Sequence, residues 1–221
     1  MSTCHRDNSW YADAVPSRTK TRPAATQRPP RRLSVAARRR QLVAAAIPVL
    51  TEQGFADFSL EEIAARADVT RNLLYHYFPR GRADIVLAVL EHAGHELTDG
   101  WILDDAIPLT ERIAANNARM IAQAMEPTPA WTLYRMARGS ADQDIAATVD
   151  RFVDVVVASM SLNHLDTADP PPLARIALRG YLAFFEAVLD DARATGTAPE
   201  AVLPLLSRTL VTALDGVAPE R

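Results

Sequence analysis

From residue 35 to residue 214, apolar positions recur at intervals of three and four, the spacing of helices packed through one face. Leu42, Ala45, Ala46, Val49 and Leu50 mark a first helix over Val35–Gln53, with Gly54 after it as the stop. Pro48 inside that helix removes one backbone donor and predicts a kink or curve. Phe55 and Phe58 follow as plugs for a small core. Leu60, Ile63, Ala64 and Ala67 mark a short second helix, and Leu74 and Phe78, four apart, are the inward pair of a third. Ser59 with Glu62 three residues later predicts a capping box on the second helix. Asp68-Val69-Thr70 is the turn between them. Asp68 takes the left-handed position, and Thr70 caps the third helix. Ile85, Val86, Val89, Leu90 and Ala93 mark a fourth helix over about residues 83–98.

Residues 101–221 read as further helices punctuated by Pro and Gly. A fifth covers about 108–125. Thr128-Pro129 opens a sixth to Arg138, with Pro at its first position. Ser140 and Gln143 predict a capping box for a seventh, which is apolar on one face through Ile145, Val149, Phe152, Val156 and Met160. Val153, Val155 and Val157 fill its other faces, which predicts a buried central helix; no turn chemistry supports a strand there. The prolines at 170–172 open an eighth helix, closed by Gly196, and Pro199 opens a ninth, closed by Gly216. The fold class expected is all-α: an N-terminal three-helix helix-turn-helix domain over residues 34–97, with its motif at 59–78, and a C-terminal helical bundle over 101–221.

With Leu74 and Phe78 turned inward, the third helix shows Arg71, Asn72, Leu73, Tyr75, His76 and Tyr77 outward, without an acid among them. That surface suits the major groove of DNA: Arg pairs with guanine, Asn with adenine, and hydroxyls bond phosphates. The expected DNA-contact set is Ser59, Thr70, Arg71, Asn72, Leu73, Tyr75, His76, Tyr77 and Arg82. Charge follows the same division. Residues 1–82 carry 14 Lys+Arg against 7 Asp+Glu, a net of +7, and residues 83–221 carry 10 against 20, a net of −10. A basic third beside an acidic remainder points to a polyanion partner at one end. Residues 1–33 hold four prolines and little apolar periodicity, and read as a disordered basic tail. Arg28, Arg31 and Arg32 there could form an arm for a minor groove, though a solvated tail is the simpler reading.

Three stretches together carry a resemblance. RRRQLVAAAIPVLTEQGF (38–55), SLEEIAARADVTRNLLYHYF (59–78) and FPRGRADIVLAVL (78–90) resemble the DNA-binding domain of the tetracycline-repressor (TetR) family, over about 60 residues from Val35 to Leu97. The resemblance implies a ligand-responsive regulator, a repressor released from a palindromic operator by a small, mainly apolar molecule. It implies a homodimer through the last two helices, eight and nine, and a ligand among helices four to eight that tilts helix four. The family sets a Lys three residues after the motif's last Phe; here Gly81 stands there, and Arg82, one residue on, is the substitute.

For the ligand, large apolar groups with a few polar ones make Trp101, Asn117, Met120, Trp131, Tyr134, Arg135, Phe152, Met160, His164 and Tyr181 the candidates. His92 and His95, with Glu91 and Glu96, lack the spacing of a metal motif, so no metal and no cofactor is expected. Nothing resembles a nucleophile elbow or a phosphate-cradling loop, so an enzyme is not expected. The alternative is a helical small-molecule-binding protein or enzyme whose basic N-terminal domain serves a non-DNA partner. A single cysteine, Cys4, and no run of 18 apolar residues predict a cytoplasmic protein without a membrane span.

Overall fold

The computed structural model describes residues 33–217, apart from 103 and 105. The expectations for residues 1–32, the basic tail and its arm, lie outside the described residues. Among those described there are nine α-helices and no strand: α1 Val35–Gln53, α2 Leu60–Arg66, α3 Arg71–Tyr77, α4 Arg82–Thr98, α5 Leu109–Met125, α6 Pro129–Arg138, α7 Gln143–Leu165, α8 Pro172–Thr195 and α9 Pro199–Asp215.

The first four helices form the small bundle the apolar spacing predicts. α1 starts where Ser34 Oγ accepts from the Ala37 amide at 3.1 Å, and it runs unbroken through Pro48. Leu42, Leu50, Phe58, Ile63 and Leu74 are wholly buried between α1, α2 and α3. Phe55 is only half-buried against that core. From Ser34 onward the described residues pack as one compact unit. α4 accounts for this: one side packs on α1, and others pack on α6 and α7. The two regions expected at 34–97 and 101–221 therefore share α4 as a common wall. Among the described helices, none is long and apolar enough to cross a membrane.

Two caps differ from expectation. Ser59 Oγ accepts from the Glu62 amide at 3.1 Å, but Glu62 does not reach back. The Ser59 amide donates to Gln53 Oε1 at 2.9 Å instead, and the Glu62 carboxylate takes Gln53 Nε2 and Arg66. Those bonds, Arg66 first, hold the Glu62 carboxyl below its usual range. α7 is capped not by Ser140 but by Asp142, whose carboxylate accepts from the amides of Asp144 and Ile145. α7 is also not buried all round: Val155 and Leu162 are half-exposed, because its main packing partners α4, α6 and α8 leave one face to solvent.

Candidate nucleic-acid interface and effector cavity

The turn between α2 and α3 sets the recognition surface. Asp68 sits at φ 52°, the left-handed position expected of it, and lets the chain reverse within three residues. Thr70 then caps α3 by accepting from the Leu73 amide at 3.3 Å. Leu74 and Phe78 anchor the helix inward. Thr70, Arg71, Asn72, Tyr75 and His76 face solvent together, while Ser59, Leu73 and Tyr77 are only partly exposed. Tyr77 packs against the core, so it is the member of the expected set least able to reach a duplex.

The outward face is not free of acid, contrary to the reading of the helix alone. Glu61, on α2, forms an ion pair with Arg71. Arg71 Nη2 also lies 3.2 Å from Tyr75 Oη, and its guanidinium stands 5.6 Å from that ring. Bonding to Tyr75 and Glu61 makes Arg71 harder still to deprotonate. Arg71 is thus pre-positioned beside Tyr75 and held by a carboxylate that a base edge would have to displace. Glu61→Gln removes that competitor and one negative charge from a surface meant for a polyanion. DNA affinity should rise by a factor of about three to ten, measured by fluorescence anisotropy at fixed salt.

Gly81, at φ 62°, makes the turn from α3 to α4, and a Cβ there would lie 3.1 Å from the Tyr75 ring. Arg82 is the first residue of α4 and is exposed. Its Nε donates to the Phe58 carbonyl at 3.2 Å and its guanidinium lies 5.6 Å from the Phe58 ring, which fixes the stem beside α3. Arg80 points elsewhere. It bonds Asp84 through both its amide, at 2.8 Å, and its Nε, at 2.7 Å, and reaches Asp144 at the start of α7, at 3.2 Å. The amide bond is the first cause of the lowered Asp84 carboxyl. The loop after the recognition helix is therefore tied directly to the C-terminal bundle.

Two narrow cavities lie side by side in that bundle. One, on the α6 side and termed the outer cavity, is lined by Leu97, Trp131, Tyr134, Phe152, Phe185 and Glu186, among others, and is almost wholly apolar. The inner one is lined by Asn116, Asn117, Met160, Asn163, His164 and Tyr181. Trp101, Met120 and Leu182 line both. Each holds about 20 Å³ of free space, room for little more than one water, so an organic ligand must spread the walls. Nine of the ten expected ligand residues border one cavity or the other. Arg135 does not: it pairs with Glu186, at 2.7 Å, and with Asp190.

The walls are braced by polar contacts. Tyr134 Oη donates to Glu186 Oε1 at 2.6 Å, and Arg138 Nε reaches Glu186 Oε2 at 3.1 Å. Burial, with Glu186 beside it, pushes the Tyr134 phenol well above its usual value. Tyr181 Oη donates to Asn117 Oδ1 at 2.9 Å, and burial raises its titration too. Burial, then the charge of Arg112, pushes His164 down to about 4, so it is neutral at pH 7. No group of three or more metal-ligating side chains occurs among the described residues, and His92 faces Glu96 at 3.8 Å.

A family model described as "Bacterial regulatory proteins, tetR family" matches residues 42–89, spanning α1 to α4. The regulator BetI of Brucella anthropi is 36% identical over 113 residues, which are 48% of this chain and 57% of that protein. The transcriptional activator FasR of Mycolicibacterium smegmatis is 35% identical over 92 residues, 42% of each chain. Over α1 to α4 the chain carries a TetR-family domain. The match spans about half the length of these curated relatives, 57% of BetI and 42% of FasR. Solved structures extend the likeness in fold. A tetR-family regulator from Streptomyces coelicolor superposes with a TM-score of 0.63 at 24% identity, covering 83% of this chain and 81% of that one. A putative TetR-family regulator from Mesorhizobium loti gives 0.67 at 16% identity, covering 85% of this chain and all of that one.

Within the TetR frame, three features escaped the sequence. Glu61 lies next to the cap residue Glu62 and gave no sign of pairing with Arg71. Glu186 carried no signal beyond being one acid on a long helix. Gly94 looked like an ordinary helical glycine, yet a Cβ there would lie 2.7 Å from a ring carbon of Phe152. That contact joins α4 to a side chain bordering the outer cavity.

Proposed function

We propose that this chain is a dimeric transcriptional regulator that binds a palindromic operator and is released by a small, mainly apolar effector. The observation that carries the reading is the exposed cluster of Thr70, Arg71, Asn72, Tyr75 and His76 on a helix capped at one end and anchored by Leu74 and Phe78. Arg71 and Asn72, at the N-terminal end of α3, read base edges, while Thr70, Tyr75 and Arg82 bond phosphates. α3 is only seven residues long, too short to specify an operator by itself. A second copy supplies the other half-site, about 34 Å away. α8 supports that pairing: Leu173 is 60% exposed, Ile176 67% and Phe184 38%, and Gly180, on the same face, has no neighbour within 4 Å. Leu205 of α9 adds to this apolar face, as a four-helix interface requires.

The effector enters the paired cavities and displaces Phe152. α4 follows, because Gly94 lets Phe152 rest directly on it, and the Arg80–Asp84–Asp144 link carries the shift to the end of α3. A differential affinity of a few kcal/mol between the two states suffices. Repression is the simplest sign for such a device. FasR, named an activator, shows that a related motif serves activation too.

The test begins with a genomic fragment pool, from which the chain retains its operator. Affinity for that fragment should fall steeply with salt, and Arg71→Ala should weaken it by about 1–3 kcal/mol. Changing the half-site spacing by five base pairs should abolish specific binding. No retention of any fragment at low salt, or indifference to spacing, would overturn the reading.

A further inference from the structure

The wall between the two cavities holds a hydrogen-bond donor that the fold does not use. The amide side chains of the inner cavity are committed. Asn116 clamps the backbone of Ile102, accepting from its amide at 2.8 Å and donating to its carbonyl at 3.1 Å. Asn163 donates to the same carbonyl at 3.2 Å and accepts from Arg112 at 2.7 Å. Asn117 donates to Ser207 at 3.3 Å and accepts from Tyr181 at 2.9 Å. The clamp on Ile102 fixes the neighbouring Trp101, whose ring borders both cavities. Trp101 Nε1 is buried and has no partner. An indole N–H can only donate, and a buried donor is costly to leave unmade. A molecule that enters beside this ring gains most by presenting an acceptor.

The chemistry of that acceptor follows from its surroundings. A cationic amine brings donors alone and leaves the indole N–H as it was. An anion has to give up its water in a space with room for little more than one molecule of it. His164 beside that space is uncharged at pH 7 and offers an anion no counter-charge. A hydroxyl brings a donor of its own to a wall whose three Asn oxygens each accept a bond already. An uncharged carbonyl oxygen accepts without donating and loses its water at far less cost than a carboxylate. The outer walls of Phe152, Trp131, Phe185 and Leu97 favour hydrocarbon. We infer that the effector is an uncharged carbonyl compound with an apolar chain, its oxygen accepting from Trp101 Nε1 and its chain in the outer cavity. This rests on reading the paired cavities as the effector site.

The test titrates octan-2-one into the full chain by calorimetry, beside 2-methyloct-1-ene, which has a methylene in place of the carbonyl oxygen, octan-2-ol and octanoate. The ketone should bind at least about tenfold tighter than octanoate, and tighter than the alcohol. Trp101→Phe keeps an aromatic wall and removes the N–H. The ketone-to-alkene affinity ratio should fall about fivefold in that variant, the worth of one neutral hydrogen bond, with thermal unfolding confirming a folded protein. In the natural chain the Trp101 indole N–H resonance, identified by its loss in the variant, should move downfield with the ketone and less with the alkene. If the ratio is the same in both proteins while both analogues move that resonance, the carbonyl assignment fails and the effector cavity stands. Octanoate or octan-2-ol binding as tightly as the ketone also overturns the assignment. If neither ketone nor alkene binds or moves the resonance, the assignment and the effector site fall together.

Discussion

Gly94→Ala should weaken operator binding by about tenfold or more while leaving every residue of α3 in place. The new methyl would sit 2.7 Å from Phe152 Cδ2 and 3.2 Å from Cε2, closer than carbon atoms can pack, so something must move. The ring cannot simply swing away. It meets Tyr134 edge-on at 5.2 Å between centroids, and Tyr134 is fixed by Glu186. Free space beside the ring lies in the outer cavity and in a smaller one lined by Leu90, Thr148 and Val149. Gly94→Ala thus forces the displacement assigned to the effector, or drives α4 off α7, and both move the Arg80–Asp144 link. Overpacking of this kind costs about 1–3 kcal/mol of stability. Adding Phe152→Leu should restore much of the DNA affinity, a coupling that a double-mutant cycle reads directly. Unchanged operator affinity in Gly94→Ala would remove Phe152 from the path between cavity and DNA.

The largest loss of stability is expected from Glu186→Ala. Glu186 joins α8 to α6 through Tyr134, Arg135 and Arg138, and its side chain is only 12% exposed. Removing it strands a buried phenol and takes the carboxylate from two guanidinium groups, of which Arg135 keeps Asp190. Breaking one side of a largely buried pair costs about 3 kcal/mol, with the half-exposed arginines setting the lower end. Tyr134→Phe, which deletes one bond and leaves the ring packed, should cost only about 1 kcal/mol. Urea unfolding of the two variants compares them. Equal losses would mean that the ring packing of α6, not the charge cluster, braces the outer cavity.

The helices were legible because the signals that fix them are local. Ser59, Thr70 and Asp68 act within three residues of themselves, and each holds the role its chemistry suggests. Leu74 and Phe78 were legible as an inward pair for the same reason. What failed was anything set by how helices cross. Gln53 reaches Ser59 across a loop and displaces the Glu62 half of the capping box. Glu61 meets Arg71 only because α2 and α3 fold over one another. Asp142 outcompetes Ser140 for the start of α7, because its carboxylate bonds two amides at once. The valines of α7 promised burial on every side, but periodicity does not count neighbours, and Val155 stayed out. The cavity residues emerged from composition, as large apolar groups in an otherwise acidic bundle.

The central claim is that the exposed edge of α3 reads bases. It is tested most directly by measuring affinity for every single-base variant of the selected operator, at one salt concentration, for the natural chain and for Arg71→Ala. The natural chain should lose about 1–3 kcal/mol at each contacted pair. Arg71→Ala should lose discrimination at one position in each half-site, symmetrically placed, and keep the profile elsewhere. Two profiles that run parallel at every position would show that Arg71 touches no base and contradict the account.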